Sequence, residues 1–384
     1  MTWLVHHQAS ERAAAEAHEA RRRGDETLAN SLFAGAASAE LEALRHLDAS
    51  EKPRTFGVTA VSCAALLYKA AHLQEAELFA HSILSRPGLP DFATDQLREI
   101  LQSLWNEQAQ ASAGVQFVPG QVTVSVDGGE VVKGGAPLDL VVERVQTIQS
   151  IFFRTAEFLK KLPLRRHGPA TKPIQELCRP WLFQSVPGSY QFTVAIQGPK
   201  QSDMFAEGDP EPKLVAATFM AILESAATDP DAALSAVVPD SEYRSTFLKL
   251  ARNLAPTGRS FSQMEIRSSQ GRAPVVLTPE SRKAMTRTIR DGGAVRPLGA
   301  QVEEVVLRGV LRAVHLEKDW LELSVNDTFL HISGVGETVD DVIGPMVNHS
   351  VAVSTLRDSK GAYSFQDIEL EDGTNDASQE TPIK

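Results

Sequence analysis

The spacing of apolar residues changes near residue 120 of this chain, and no single layer of structure satisfies both patterns. Before that point they recur every three or four positions, the period of a helix that buries one stripe. In "AAAEAHEARRRGDETLANSLFAGAASAELEAL", Ala17, Ala20, Ala29, Phe33 and Ala36 lie on the facing sides of two helices around a turn at Arg23-Gly24-Asp25. Residues 58–84 repeat the plan with Ala64, Leu67, Ala71, Leu73, Ala76, Ala80 and Ile83. "PDFATDQLREILQSLW" adds Leu97, Ile100, Leu101, Leu104 and Trp105. Small residues at the crossing points let helices approach closely, while larger ones fill the groove beside them. Beyond the change, "QVTVSV" alternates as a half-buried strand does.

Ala17, Gly24, Ala29, Phe33 and Ala36 resemble one unit of the tetratricopeptide repeat, and Ala64, Leu67, Ala71 and Ala76 a second. The turns at Gly24 and Ala71 are 47 residues apart instead of about 34, alanine stands at the second turn, and Ala80 fills a bulky position. The resemblance covers residues 1–110. It implies a scaffold of helical hairpins whose concave face holds a peptide or another protein.

A linker is expected at 111–120, then an α+β domain at 121–298 with one antiparallel sheet and helices on a face. Its signals are "QVTVSV", the turn-forming "DGGEVVKGG", a long helix after Pro137, "RPWLFQSV", and "SYQFTVAIQ" with Tyr190, Phe192, Val194 and Ile196 on one side. Helices around 212–226 and 241–254 precede a hairpin, "SFSQMEIRSSQGRAPVVLT", and Thr278-Pro279 opens a further helix as N-cap and first helical residue. Residues 299–371 supply five strand candidates, 303–316, 319–325, 329–335, 350–357 and 362–370, with a short helix in "TVDDVIGPMV" between the third and fourth. That order is similar to an OB-fold barrel, and Gly309 is where its long first strand would bend. The polar tail at 372–384 is expected to be disordered. The fold class is thus multidomain α+β.

The net charge of −11 is uneven: −5 over residues 1–120, +4 over 121–298 and −10 over 299–384. An anion-binding footprint belongs in the middle segment. The densest cluster there is "KKLPLRRHGPATK", and Lys160, Lys161, Arg165, Arg166, His167 and Lys172 are the candidate anion- or partner-binding residues. Lys160 and Lys161 also oppose the negative end of the preceding helix, as the arginines of "RRRGD" (21–25) do at theirs. Asp340 and Asp341 fall in the first turn of a helix, where carboxylates complement the dipole. The acidic third segment repels a phosphate backbone.

No stretch carries a catalytic signature. The glycines of "DGGEVVKGG" lack the Lys-Ser/Thr ending of a phosphate loop, and Ser189 is not in a Gly-x-Ser-x-Gly elbow. The ten histidines never stand at metal-ligand spacing, and Cys63 and Cys178 are too few for a thiolate metal site. No cofactor or metal is implied. No apolar run is long enough for a membrane span, and no secretory signal opens the chain, so a cytoplasmic location is expected. The resulting expectation is a non-catalytic bacterial adaptor subunit that meets another protein through residues 1–110. A stress or anti-phage defence assembly is the setting suggested by the combination of modules. Nucleic-acid binding through the basic middle domain is the alternative, and an enzyme with a site assembled there from distant residues is the third reading.

Overall fold

The computed structural model describes residues 2–112, 122–131, 136–183, 190–196, 210–258, 260–268, 273–292, 303–336 and 338–371. The rest of the expected linker, the glycine-rich turn beyond Val131, the Pro-Gly turn before Tyr190 and the tail lie outside the described residues. Residues 2–112 form one compact unit and the described residues from 122 onward another.

The first unit is five helices in chain order: α1 (Thr2–Arg22), α2 (Glu26–Arg45), α3 (Pro53–Lys69), α4 (Leu73–Leu84) and α5 (Asp91–Ser112). Alanine dictates their closeness. Ala17, Ala20, Ala29, Ala36 and Ala37 are buried with Phe33 in a first core that Leu66 of α3 and Ala70 at its C-terminal cap complete. The other side of α3 (Phe56, Ala60, Ala64) packs with α4 and α5 into a second core around Ala76, Ala80, Leu97, Leu101 and Leu104. Helix α3 therefore belongs to both cores, which makes the stack continuous. A Cβ on Gly57 would come within 3.0 Å of the Ala93 Cβ, so α3 meets α5 almost backbone to backbone. Buried Glu40 of α2 is met by His7 Nδ1 of α1 at 3.0 Å.

Two helix ends share one device. Gly24 follows α1 with φ +82°, and Ala71 follows α3 with φ +60°. In each case the next residue donates back across the turn, Asp25 to the Ala20 carbonyl and His72 to the Leu67 carbonyl, closing the ends of both helices. Alanine at position 71 does adopt the left-handed turn that glycine usually fills.

The second unit contains a five-stranded antiparallel sheet, ordered β2-β3-β1-β4-β5. Its strands are β1 (Val122–Asp127), β2 (Pro180–Phe183), β3 (Tyr190–Ile196), β4 (Gln263–Ser268) and β5 (Val275–Leu277). Val122, Val124, Val126, Phe192, Val194, Ile196, Met264 and Ile266 are buried in one core with α6 (Leu138–Leu159), α8 (Pro212–Thr228) and α10 (Ser241–Leu254). Phe152 of α6 stacks on Phe219 of α8 with ring centroids 4.0 Å apart. Short helices α7 (Lys172–Leu177) and α9 (Ala232–Val237), unseen by sequence reasoning, fill corners. Helix α11 (Pro279–Gly292) opens as expected, with Ser281 N donating to Thr278 Oγ1 at 3.3 Å.

The remaining strands are β6 (Glu303–His315), β7 (Trp320–Val325), β8 (Thr328–Ser333), β9 (Ser350–Arg357) and β10 (Tyr363–Leu370). They pair in the order β10-β8-β7-β6-β9, and β10 also pairs with β9, so the ring of strands closes on itself. Among the described strands, the β10–β8 pairing alone is parallel. A Cβ at Gly309 would overlap the Ser324 carbonyl oxygen of β7, so the long strand β6 needs glycine there. Helix α12 (Asp340–Ile343) and a following 3₁₀ turn (Gly344–Met346) connect β8 to β9. Val339 and Val342 belong to the core of the open sheet, while Ile343 and Met346 belong to that of the closed one. Four residues of this short connection thus stitch the two cores together.

Candidate functional site

The six candidate basic residues follow α6, and the chain turns sharply there. Lys160 caps α6, and Lys161 takes a left-handed conformation (φ +55°) while Leu162 N donates back to the Glu157 carbonyl. This repeats the turn seen at Ala71. The loop then runs against α12. Arg165 Nε donates to Glu157 Oε1 at 2.9 Å, its Nη2 to Asp341 Oδ2 at 3.1 Å, and Asp340 lies 3.7 Å away. The Arg166 carbonyl accepts from Asp340 N at 2.9 Å, and its guanidinium lies 3.8 Å from Glu242 of α10. His167 faces Glu317 at 3.9 Å, with both side chains exposed. Lys161 and Lys172 are exposed, and Lys172 opens α7.

The structure therefore brings Arg165, Arg166 and His167 to acidic groups of the same chain. Asp340 and Asp341, which sequence reasoning assigned to the helix dipole, also face Arg154, a guanidinium with no solvent exposure. Burial, then the neighbouring Asp341 charge, raises the Asp340 pKa, opposed by the Gly168 N–H and by Arg165 and Arg154. A second set of arginines does the same on β10. Arg252, fully buried on α10, binds Asp367 and donates to the Ile368 carbonyl at 2.6 Å. Arg282 of α11 donates to the Arg252 carbonyl at 2.6 Å and reaches Glu369 at 3.4 Å. The basic middle and acidic end of the sequence neutralise one another across this joint.

Beside the joint, α10, α11 and the closed sheet enclose a cleft of about 640 Å³. Ser241, Arg244, Ser245, Lys249, Asp291 and Gln366 are among its walls. Arg244 Nη1 donates to the Val238 and Pro239 carbonyls, each at 3.0 Å, which fixes the guanidinium at the mouth of α10. The described walls hold no histidine or cysteine, so their serines have no imidazole base and no thiol stands beside them. No group of His, Cys, Asp and Glu among the described residues could hold a metal ion. Charges of both signs line the cleft, which suits a polar ligand without specifying a reaction.

The first unit offers a different kind of surface. Leu78 of α4 (65 % exposed) and Trp105 of α5 (37 %) stand out into solvent, as do Val5, Val58 and Phe92. Trp105 is held in place: its Nε1 donates to Glu77 Oε1 at 2.7 Å, and its ring lies 5.9 Å from that of His81. A large amphipathic ring already fixed in orientation loses little freedom on binding, which is why tryptophan anchors so many interfaces. Sequence reasoning placed Trp105 on the buried stripe with Leu101 and Leu104; helical periodicity alone does not separate a core position from its flank.

No helix among the described residues is long and apolar enough to cross a membrane. No family model, curated protein or solved structure matches the chain.

Proposed function

We propose that this protein works by association, its five N-terminal helices receiving a partner protein as the adaptor subunit of a bacterial cytoplasmic assembly. The observation that carries the reading is the exposed Trp105, oriented by Glu77 of α4, with exposed Leu78 next along that helix, on an alanine-packed stack. Leu78 adds little to the stack's own stability by standing in water, and Trp105 keeps a third of its surface there. We read the helices as tetratricopeptide-like, supported by the left-handed turns at Gly24 and Ala71 and the small residues between them. We read the closed sheet as OB-like, supported by its strand pairing, the single parallel contact and the position of α12. In this reading the charged joint serves rigidity, because its arginines are engaged by the chain's own carboxylates. A stress or anti-phage defence assembly is the setting that this combination of modules suggests.

The test is affinity purification of the tagged full-length chain from its native host, with composition read by mass spectrometry and stoichiometry by light scattering. The expected result is a stoichiometric second protein, absent when residues 2–112 are deleted and depleted at least tenfold by Trp105→Ala with Leu78→Asp. Elution of the full-length chain alone, or retention of the second protein by both variants, overturns the reading.

A further inference from the structure

Cations converge at the turn end of the first helical hairpin, around a single ring. Phe33 of α2 is fully buried. The Arg21 guanidinium carbon lies 4.8 Å from its centroid and the Lys69 ammonium 5.8 Å. His18 meets the ring edge-on at 5.0 Å, and its Nε2 accepts from Lys69 Nζ at 3.5 Å. Arg22 and Arg23 extend the same helix end. Arg21 is engaged by the fold itself, its Nη2 donating to the Lys69 carbonyl at 3.0 Å and to Asn30 Oδ1 at 3.3 Å, while Glu26 pairs with its Nε at 3.2 Å. Glu19 is taken by Arg22, and Asp25 caps α2 by accepting from Leu28 N. Among the described residues no carboxylate comes within ion-pair distance of Lys69.

Half-buried Lys69 thus sits beside the Arg21 cation, with the neutral His18 imidazole as its acceptor. Burial, and then Arg21, lowers its pKa; burial, then Lys69, Arg21 and Arg22, lowers that of His18. The helix dipole accounts for a cation in the last turn of α3. It does not account for that cation turning onto a ring that Arg21 already covers, beside an imidazole. An incoming carboxylate would offset the Arg21–Lys69 repulsion, accept from Lys69, and accept from His18 once that ring takes up a proton.

We propose that Lys69 and His18, flanked by Arg21 and Arg22, form a carboxylate-binding site for an acidic segment of the partner protein. The proposal rests on the association reading above and names the chemistry of one contact within it. The surface specified is local, because the unit as a whole is acidic and would otherwise repel an acidic peptide.

Imidazole resonances of the full-length chain, assigned with His18→Gln, provide the test. Hexaglutamate is titrated in at low ionic strength and inorganic phosphate serves as the comparison. The expected result is a shift of the His18 signal and a rise of its titration midpoint by about half a unit or more. That response should vanish in Lys69→Gln and return in Lys69→Arg, with thermal unfolding unchanged across the variants. An unmoved His18 signal at millimolar peptide, or the same response in Lys69→Gln, overturns the proposal. So does a response to phosphate that equals or exceeds the peptide's, which would assign the spot to small anions. Co-purification of the second protein that survives Lys69→Gln but not deletion of residues 2–112 would remove this site and leave the association reading standing.

Discussion

Arg154, in the last third of α6, reaches Asp341 across 187 residues of sequence, its Nε donating to the carboxylate at 2.6 Å. The guanidinium has no exposure to water. Asp341→Ala leaves it with Glu157 at 3.4 Å and Asp340 at 3.7 Å. Because two carboxylates remain beside the buried guanidinium, the cost is that of one lost charge-assisted hydrogen bond, about 1.5–3 kcal/mol. Urea unfolding of the full chain should show that loss in the transition of the second unit. Asp341→Asn, which keeps an acceptor, should lose less. A change under about 1 kcal/mol would mean that the joint behaves as a solvated surface pair.

Ala71 and Lys161 both sit in the left-handed region, at φ +60° and +55°. A side chain there is strained by its own carbonyl, and neither turn needs the Cβ. Ala71→Gly and Lys161→Gly should each stabilise the fold by about 0.5–1 kcal/mol, in spite of glycine's freer unfolded state. Thermal melts of the two variants check this, and a lower melting temperature in either contradicts the assignment of that turn.

Gly309 gives the opposite prediction. Its Cβ would overlap the Ser324 carbonyl, a backbone atom that cannot step aside without opening the β6–β7 pairing. Gly309→Ala should destabilise the closed sheet by about 3 kcal/mol or more, the range of severe overpacking. Hydrogen exchange of the β7 amides would report the opening directly.

Both thiols are buried, and burial first, then Glu40 for Cys63 and Glu157 for Cys178, pushes each pKa up to about 12. A thiol with so little thiolate is a poor nucleophile. The native protein at pH 8 should therefore not react with a maleimide over an hour, and both cysteines should react promptly in denaturant. Fast labelling of either in the native state would show that its surroundings open.

Local periodicity carried most of the architecture. The alanines of α1 to α4, the alternation in β1 and the five strands of the closed sheet are all signals within a window of ten or twenty residues. The six-residue helices α7 and α9 are too short to show a stripe. Pairings across the sequence were not legible either. Asp340 and Asp341 looked complete as first-turn carboxylates, and nothing local points from them to Arg154 or Arg165. His18 and Lys69 lie 51 residues apart, and only the stacking of α1, α2 and α3 makes them neighbours. Position 71 is the instructive case: its matching place in the repeat anticipated a glycine-type turn, and the backbone makes one with alanine.

Strand β10 supplies the carboxylate that Arg252 holds, and it is also the strand that closes the ring between β8 and β9. The chain must therefore grow 115 residues past Arg252 before that guanidinium meets its counter-charge. A polypeptide interrupted anywhere in that interval carries an unneutralised arginine in a nascent interior, together with open strand edges. Incomplete copies are thereby conspicuous to proteases and chaperones, and finished ones become inconspicuous in a single step.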